Sequence, residues 1–175
     1  MTTKLVILAA PTAPGRLTYA AASSFNDMSI SLTQAEKIVE AAIAKARELG
    51  LPPVGVAVLD AGGHLKFLQR EDGVAFLRAT VCQAKAWGAL ALGASSRHLA
   101  ERYAADELQR GFMNALAGSG AQRIVPLPGG VLIRDSEGLL LGAVGVAGAA
   151  SEDDETCAVA AIEACGLTAD LDSER

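Results

Sequence analysis

Val54-Gly55-Val56-Ala57-Val58-Leu59, then Asp60-Ala61-Gly62-Gly63-His64, then Leu65-Lys66-Phe67-Leu68-Gln69-Arg70: this run decides the fold. Its first part places β-branched residues at alternate positions and its last part interleaves apolar with polar ones, two period-two patterns that suit strands. The paired glycines between them supply the positive φ angles of a tight turn, so the run reads as an antiparallel hairpin closed by Glu71-Asp72-Gly73. A second unit of the same kind lies towards the other end of the chain. There Val131-Leu132-Ile133-Arg134 leads through Asp135-Ser136-Glu137-Gly138 to Leu139 and on to Ala147.

Helical patterns surround the two hairpins. Thr33 followed three residues later by Glu36 is a capping-box signature, and Ile38, Ala42, Ala46 and Leu49 recur at helical spacing before Gly50 stops them. A long helix is predicted from about Leu77 to Leu92, ended by Gly93, and Ser95 or Ser96 starts another through Tyr103. Residues 106–122 are ambiguous: Leu108, Phe112 and Leu116 keep helical spacing, and Gly118 and Gly120 dissolve it. Ser151 with Asp154 is read as a capping box for the last helix, whose apolar side carries Val159, Ile162 and Leu167. Two hairpins among separate helices predict a single α+β domain, an antiparallel sheet flanked by helices rather than βαβ units. We divide the chain into an extension over 1–29, the domain over 30–168 and a solvated tail over 169–175. Thr3 to Ala9 of the extension is expected to be ordered, on a sheet edge or across a subunit boundary, and is not read as a leader.

The composition narrows the function. The 175 residues are 51% hydrophobic but only 4% aromatic, so the core is aliphatic, and 20 acids against 15 bases leave a net charge of −5. Without a basic cluster the chain suits neither nucleic acid nor an anionic membrane. No apolar run approaches the ~20 residues of a membrane span. So much apolar surface with so few aromatics also suggests burial between subunits. Cys82, Cys157 and Cys165 form no CxxC pair and sit in Ala-rich stretches, as expected of reduced thiols in a cytoplasmic protein.

Few residues here can carry chemistry. His64 and His98 are the only histidines, which excludes a histidine-rich zinc cluster, and there is no GxSxG elbow. His64, on a hairpin tip, is either a solvated turn residue or a ligand or base; Asp72 is a second candidate for moving protons. Arg70 and Lys85 are candidates for holding an anionic group beside the Gly129–Gly130 amides. The acidic run Glu152 to Glu155 suits a helix N-terminus better than a metal, and we assign no metal site. Gly142, Gly145 and Gly148 near the Gly129–Gly130 pair imply close approach of a ligand, another subunit or a helix backbone.

Several motifs taken together resemble one family. Asp60-Ala61-Gly62-Gly63-His64, Arg70-Glu71-Asp72-Gly73, Lys85-Ala86, Pro128-Gly129-Gly130-Val131-Leu132-Ile133 and Gly142-Ala143-Val144-Gly145-Val146-Ala147-Gly148 running into Glu152-Asp153-Asp154-Glu155 are similar to the GlcG/HbpS-like family, which includes the C-terminal domain of PduO-type proteins. Ala147 stands where a Ser is common in that family, and Asp153 where a Gln is common. The resemblance covers roughly Ile30 to Leu167. It implies a homo-oligomer, often an octamer, and haem as the cofactor, with ligation by histidine and His64 as the residue of this chain best placed for it. The competing readings are an enzyme or accessory factor acting on a small anionic catabolite, and an assembly subunit without chemistry.

Overall fold

The computed structural model describes residues 29–118 and 124–171; the extension over 1–28, including Thr3 to Ala9, and residues 172–175 lie outside the described residues. Five helices and five strands follow one another as α1 (Leu32–Glu48), β1 (Gly55–Asp60), β2 (Leu65–Arg70), α2 (Arg78–Leu92), α3 (Ser96–Ala105), α4 (Glu107–Gly118), β3 (Gly130–Arg134), β4 (Leu140–Ala147), α5 (Ser151–Ala164) and β5 (Thr168–Asp170). The strands form one antiparallel sheet in the order β2-β1-β4-β3-β5. The two hairpins are β1–β2 and β3–β4, joined side by side through β1 and β4, as an α+β domain requires.

Both hairpin turns are built the same way. Asp60 Oδ1 accepts from the amides of Gly62 and His64, and Asp135 Oδ1 accepts from those of Glu137 and Leu139. Each turn has one glycine with positive φ, Gly63 at 79° and Gly138 at 84°. An aspartate that satisfies the amides two and four residues ahead, with one residue free to go left-handed, sets the strand register without help from the core.

Two helix starts differ from expectation. The capping box of α1 uses Ser31 and Gln34, not Thr33 and Glu36: Ser31 Oγ accepts from the Gln34 amide at 3.2 Å, and Gln34 Oε1 accepts from the Ser31 amide at 3.0 Å. The reason is tertiary. The Ile30 amide donates to the Leu141 carbonyl at 3.0 Å, which holds residue 30 extended against β4 and starts the helix directly after it. At α5 the N-cap is Ala150 and makes no side-chain bond, so Ser151 is already helical; Asp154 is drawn elsewhere, as described below. The ambiguous stretch becomes α4, started by Asp106 Oδ1 accepting from the Gln109 amide at 2.8 Å. Residues 169 and 170, expected in the solvated tail, belong to the edge strand β5, tied down by an Arg134–Asp170 ion pair.

The sheet separates two aliphatic layers. On one face α1 and α5 bury Ile38, Val39, Ala42, Cys157, Ala161 and Ile162 against Val56, Val58, Val131, Ile133, Val144 and Val146. On the other, α2 lays Cys82, Ala86 and Ala89 on Ala57, Leu59, Leu132, Ala143 and Ala147. The glycines are explained here. Gly130 and Gly145 are cross-strand partners, and a Cβ on either would overlap a backbone carbonyl of α2, Lys85 at the first and Cys82 at the second. At these two positions helix backbone approaches the sheet, whereas a Cβ on Gly142 or Gly148 would overlap the Leu59 or the Pro53 carbonyl.

This seating yields a direct expectation. Gly145→Ala destabilises the protein by about 3 kcal/mol or more, the upper end of overpacking effects. Gly111→Ala, on open surface of α4, gains about 0.5–1 kcal/mol from helix propensity. Denaturant unfolding of the two variants checks both, and a Gly145→Ala protein as stable as its parent would contradict the seating of α2.

Candidate functional site

The residues that the sequence offers for chemistry divide into an exposed set and a buried set. His64 sits at the β1–β2 turn with 84% of its side chain exposed, and its Nδ1 lies 3.4 Å from Asp60 Oδ1. Arg70 ends β2, and Asp72 follows in the next turn; both are exposed. Six residues of strand separate His64 from Asp72, about 20 Å at ~3.3 Å per residue, so the two candidate proton carriers do not form one catalytic pair. His98 is an exposed residue of α3 whose Nδ1 lies 3.9 Å from Glu101.

The buried set contradicts the expectation for Lys85, Gly129 and Gly130. Lys85 is 2% exposed; its Nζ donates to Asp154 Oδ2 at 2.8 Å and to the Val146 carbonyl at 3.0 Å. Asp154 Oδ1 in turn accepts from the Ala149 amide at 3.0 Å. Burial pulls the lysine below its ordinary value and pushes the carboxyl above its own, and each charge partly offsets the shift of the other. Lys85 rises from α2 on one face and Asp154 belongs to the first turn of α5 on the other, so the pair crosses the end of the sheet. Gly129, with φ of 117°, makes the passage possible, because a Cβ there would stand 2.9 Å from Nζ. The Gly130 amide donates to Ser96 Oγ at 2.6 Å, and the Gly129 carbonyl accepts from the Val146 amide at 2.9 Å. The Lys85 ammonium and the Gly130 amide are thereby engaged inside the fold. Spacing alone could not show this, since a lysine on the sheet side of a helix reads the same whether its partner is a ligand or another helix.

Beside this pair lies a second interaction that the sequence did not reveal. Arg97 grips Glu155 Oε1 at 2.7 Å, while Glu155 is 6% exposed and its Oε2 is buried without a donor. Three thiols complete the inventory. Burial raises Cys82 to about 12 and Cys157 to about 11, and pushes Cys165 upward as well, so none is poised as a thiolate nucleophile. Among the described residues no group of three His, Cys, Asp or Glu side chains could hold a metal ion, and no helix is long and apolar enough to cross a membrane.

The hairpin tip that carries His64 borders a groove. Ala61, Gly62, Gly63, Trp87, Leu90 and Ala91 line a hollow of about 200 Å³ between the hairpin tip and α2. Trp87 reaches it because Gly63 has no side chain: a Cβ there would lie 3.2 Å from the indole nitrogen. A larger hollow of about 500 Å³ on the outer side of α1 and α5 presents exposed Lys37 and Glu40 and the half-buried Cys165, with no activated group among them. The histidine, its aspartate and an apolar wall with one tryptophan therefore mark the hairpin end as the candidate site.

Comparison with known proteins agrees with this fold. A family model described as haem degrading protein HbpS-like matches residues 30–163. The corrinoid adenosyltransferase PduO of Citrobacter freundii is 28% identical over 140 residues, covering 80% of this chain but only 40% of that protein. A crystal structure of a PduOC:heme complex aligns with a TM-score of 0.71 and 25% identity, covering 79% of this chain and 96% of that one. A double mutant of HbpS from Streptomyces reticuli aligns with a TM-score of 0.64 and 26% identity, covering 90% and 98%.

The crossing ion pair is open to a double-mutant cycle. Lys85→Met alone costs about 3–5 kcal/mol at neutral pH by stranding a buried carboxylate, whereas Lys85→Met with Asp154→Leu returns most of it. In the single variant the Asp154 carboxyl keeps a folded-state pKa above its unfolded value of 3.8. The protonated form is then favoured by folding, so stability is regained as pH falls towards that value and lost as pH rises. Denaturation at pH 4 and pH 7 checks the sign; a single variant as stable as its parent at pH 7 would show that the pair carries no structural weight.

Proposed function

The chain belongs to the family of HbpS-like haem-degrading proteins, and we propose that it binds haem as a homo-oligomer, with His64 as the iron ligand. The observation that carries this reading is the state of His64. Its imidazole is exposed beside Gly62 and Gly63 at the rim of an apolar groove, and the nearby Asp60 carboxylate lies 3.4 Å from Nδ1. A carboxylate behind an imidazole is the arrangement that orients metal-ligating histidines. Apolar walls and one aromatic ring suit the porphyrin. The complex of a similar protein with haem supports the same ligand class. His64 would hold the iron and Trp87 and Leu90 would touch the ring; a bound haem would supply an iron centre for gas binding or one-electron chemistry.

A hollow of about 200 Å³ falls below the roughly 300–1,000 Å³ of ordinary small-molecule pockets. One chain therefore covers only part of a haem, and a second copy closes the site. Free, buried thiols at Cys82 and Cys157 suit a reducing cytoplasm. The alternative, an enzyme or accessory factor for a small anionic catabolite, retains Arg70 and Asp72 but has lost Lys85 and the Gly130 amide to internal bonds. The adenosyltransferase chemistry of PduO belongs to a protein of which the match spans 40%.

Two measurements test the reading. Haem titration gives a shifted Soret band in the parent and in His98→Ala, and His64→Ala weakens binding at least tenfold, the lower bound for altering a metal site. Absence of a shift in the parent would refute haem binding, and an intact His64→Ala protein would refute the ligand. Light scattering gives a mass well above the single-chain 17.9 kDa at micromolar concentration, and the single-chain mass would refute the oligomer.

A further inference from the structure

Charge is distributed unevenly along the groove. Lys45, Arg47, Lys85, Arg97 and Arg134 each pair with a carboxylate. Among the described residues Lys37, Lys66, Arg70, Arg78, Arg102 and Arg110 have no such partner, Arg102 bonding Gln109 and Arg110 lying over Tyr103 instead, although the chain carries a net charge of −5. Glu71, the carboxylate next to Arg70, is taken by the Val54 amide at 2.7 Å and by Arg47 at 3.2 Å, and Asp72 is exposed in the following turn. Two of these cations, Lys66 and Arg70, stand on β2, the edge strand that borders α2, and a third, Arg78, opens α2 near Arg70.

The register places them. Arg70 is opposite Gly55, and a Cβ on Gly55 would meet the Arg78 carbonyl and the Ala79 amide at 3.5 and 3.7 Å, so Arg70 flanks the first turn of α2. Gly63, at the other end of the hairpin, faces Trp87. From Arg78 to Trp87 is nine residues of helix, about 13 Å at 1.5 Å per residue. Between the two ends lies Leu68, packed on Ala57 and Cys82. Lys66 stands at the bulge, where the register passes from Val58–Phe67 to Leu59–Leu65 and leaves it without a partner on β1. The strip thus has an aromatic end, an apolar middle and unpaired cations along its outer edge.

We propose that Lys66 and Arg70 hold the carboxylate groups of a porphyrin dicarboxylate whose ring lies along this strip against Trp87, so that recognition does not require the metal. The inference rests on the haem reading for its ligand class and is separable from it in the test. Two carboxylates on an apolar disc complement two cations beside an apolar strip, whereas a small polar anion would leave Leu68 and Trp87 unused. Neither cation is buried, so replacing them leaves the core intact.

The test uses the intact chain and its single tryptophan, Trp87, whose fluorescence is quenched by a porphyrin bound against it. Titration with metal-free protoporphyrin IX quenches the parent, and Lys66→Glu with Arg70→Glu weakens the apparent affinity at least tenfold with an unchanged circular dichroism spectrum. Lys66→Gln with Arg70→Gln shifts it the same way by less. The dimethyl ester of the porphyrin binds the parent at least tenfold more weakly than the free acid and does not distinguish parent from variants. Equal binding of acid and ester, or variants that bind the acid like the parent, overturns the proposal. Binding of metal-free porphyrin without binding of haem leaves this inference standing and removes His64 as iron ligand; binding of neither removes both.

Discussion

A lysine that crosses the end of a β-sheet to reach an aspartate on the far side governs much of this structure. Two full charges in an aliphatic core each carry a desolvation penalty of several kcal/mol. Hydrogen bonds offset that penalty: Lys85 donates to Asp154 and to the Val146 carbonyl, and Asp154 also accepts from the Ala149 amide. The neighbouring sequence answers to this requirement. Gly129 leaves space for the ammonium, Gly130 and Gly145 let α2 come down on the sheet, and Asp154 is unavailable to cap its own helix.

The same constraint decides where function can reside. Lys85, Gly129 and Gly130 look like part of a binding site in the sequence, but the Lys85 ammonium, the Gly130 amide and the Gly129 carbonyl are taken by bonds within the fold. A ligand there would have to break a buried ion pair. The hairpin end is built differently. Its turn is closed locally by Asp60, its strand β2 is an edge, and its groove is walled by Trp87 and Leu90. Side chains at that end can meet a ligand or a second copy without unsettling the core.

The hairpins were legible in the sequence because their signals are local: period-two runs and a turn aspartate with glycine act within ten residues. The long helices were legible for the same reason, through spacing and the glycines that end them. What escaped depends on distant partners. Thr33–Glu36 and Ser31–Gln34 are equally good capping boxes until Leu141 pins Ile30. Strand β5 is three residues long and exists only because β3 offers it an edge. At the site, His64 was legible as an exposed imidazole on a turn, but the role of Lys85 was not, since only the fold shows that Asp154 lies within 2.8 Å of it. Arg97 and Glu155 meet across 58 positions of sequence, and no spacing rule joins them.

Hydrogen exchange with and without haem separates a structural interior from a functional hairpin rim. Haem is expected to slow amide exchange in residues 61–70 and 83–91 and to leave residues 95–97, 129–130 and 152–156 unchanged. Protection that appears instead around Ser96, Gly130 and Asp154, with the hairpin unaffected, would contradict that division.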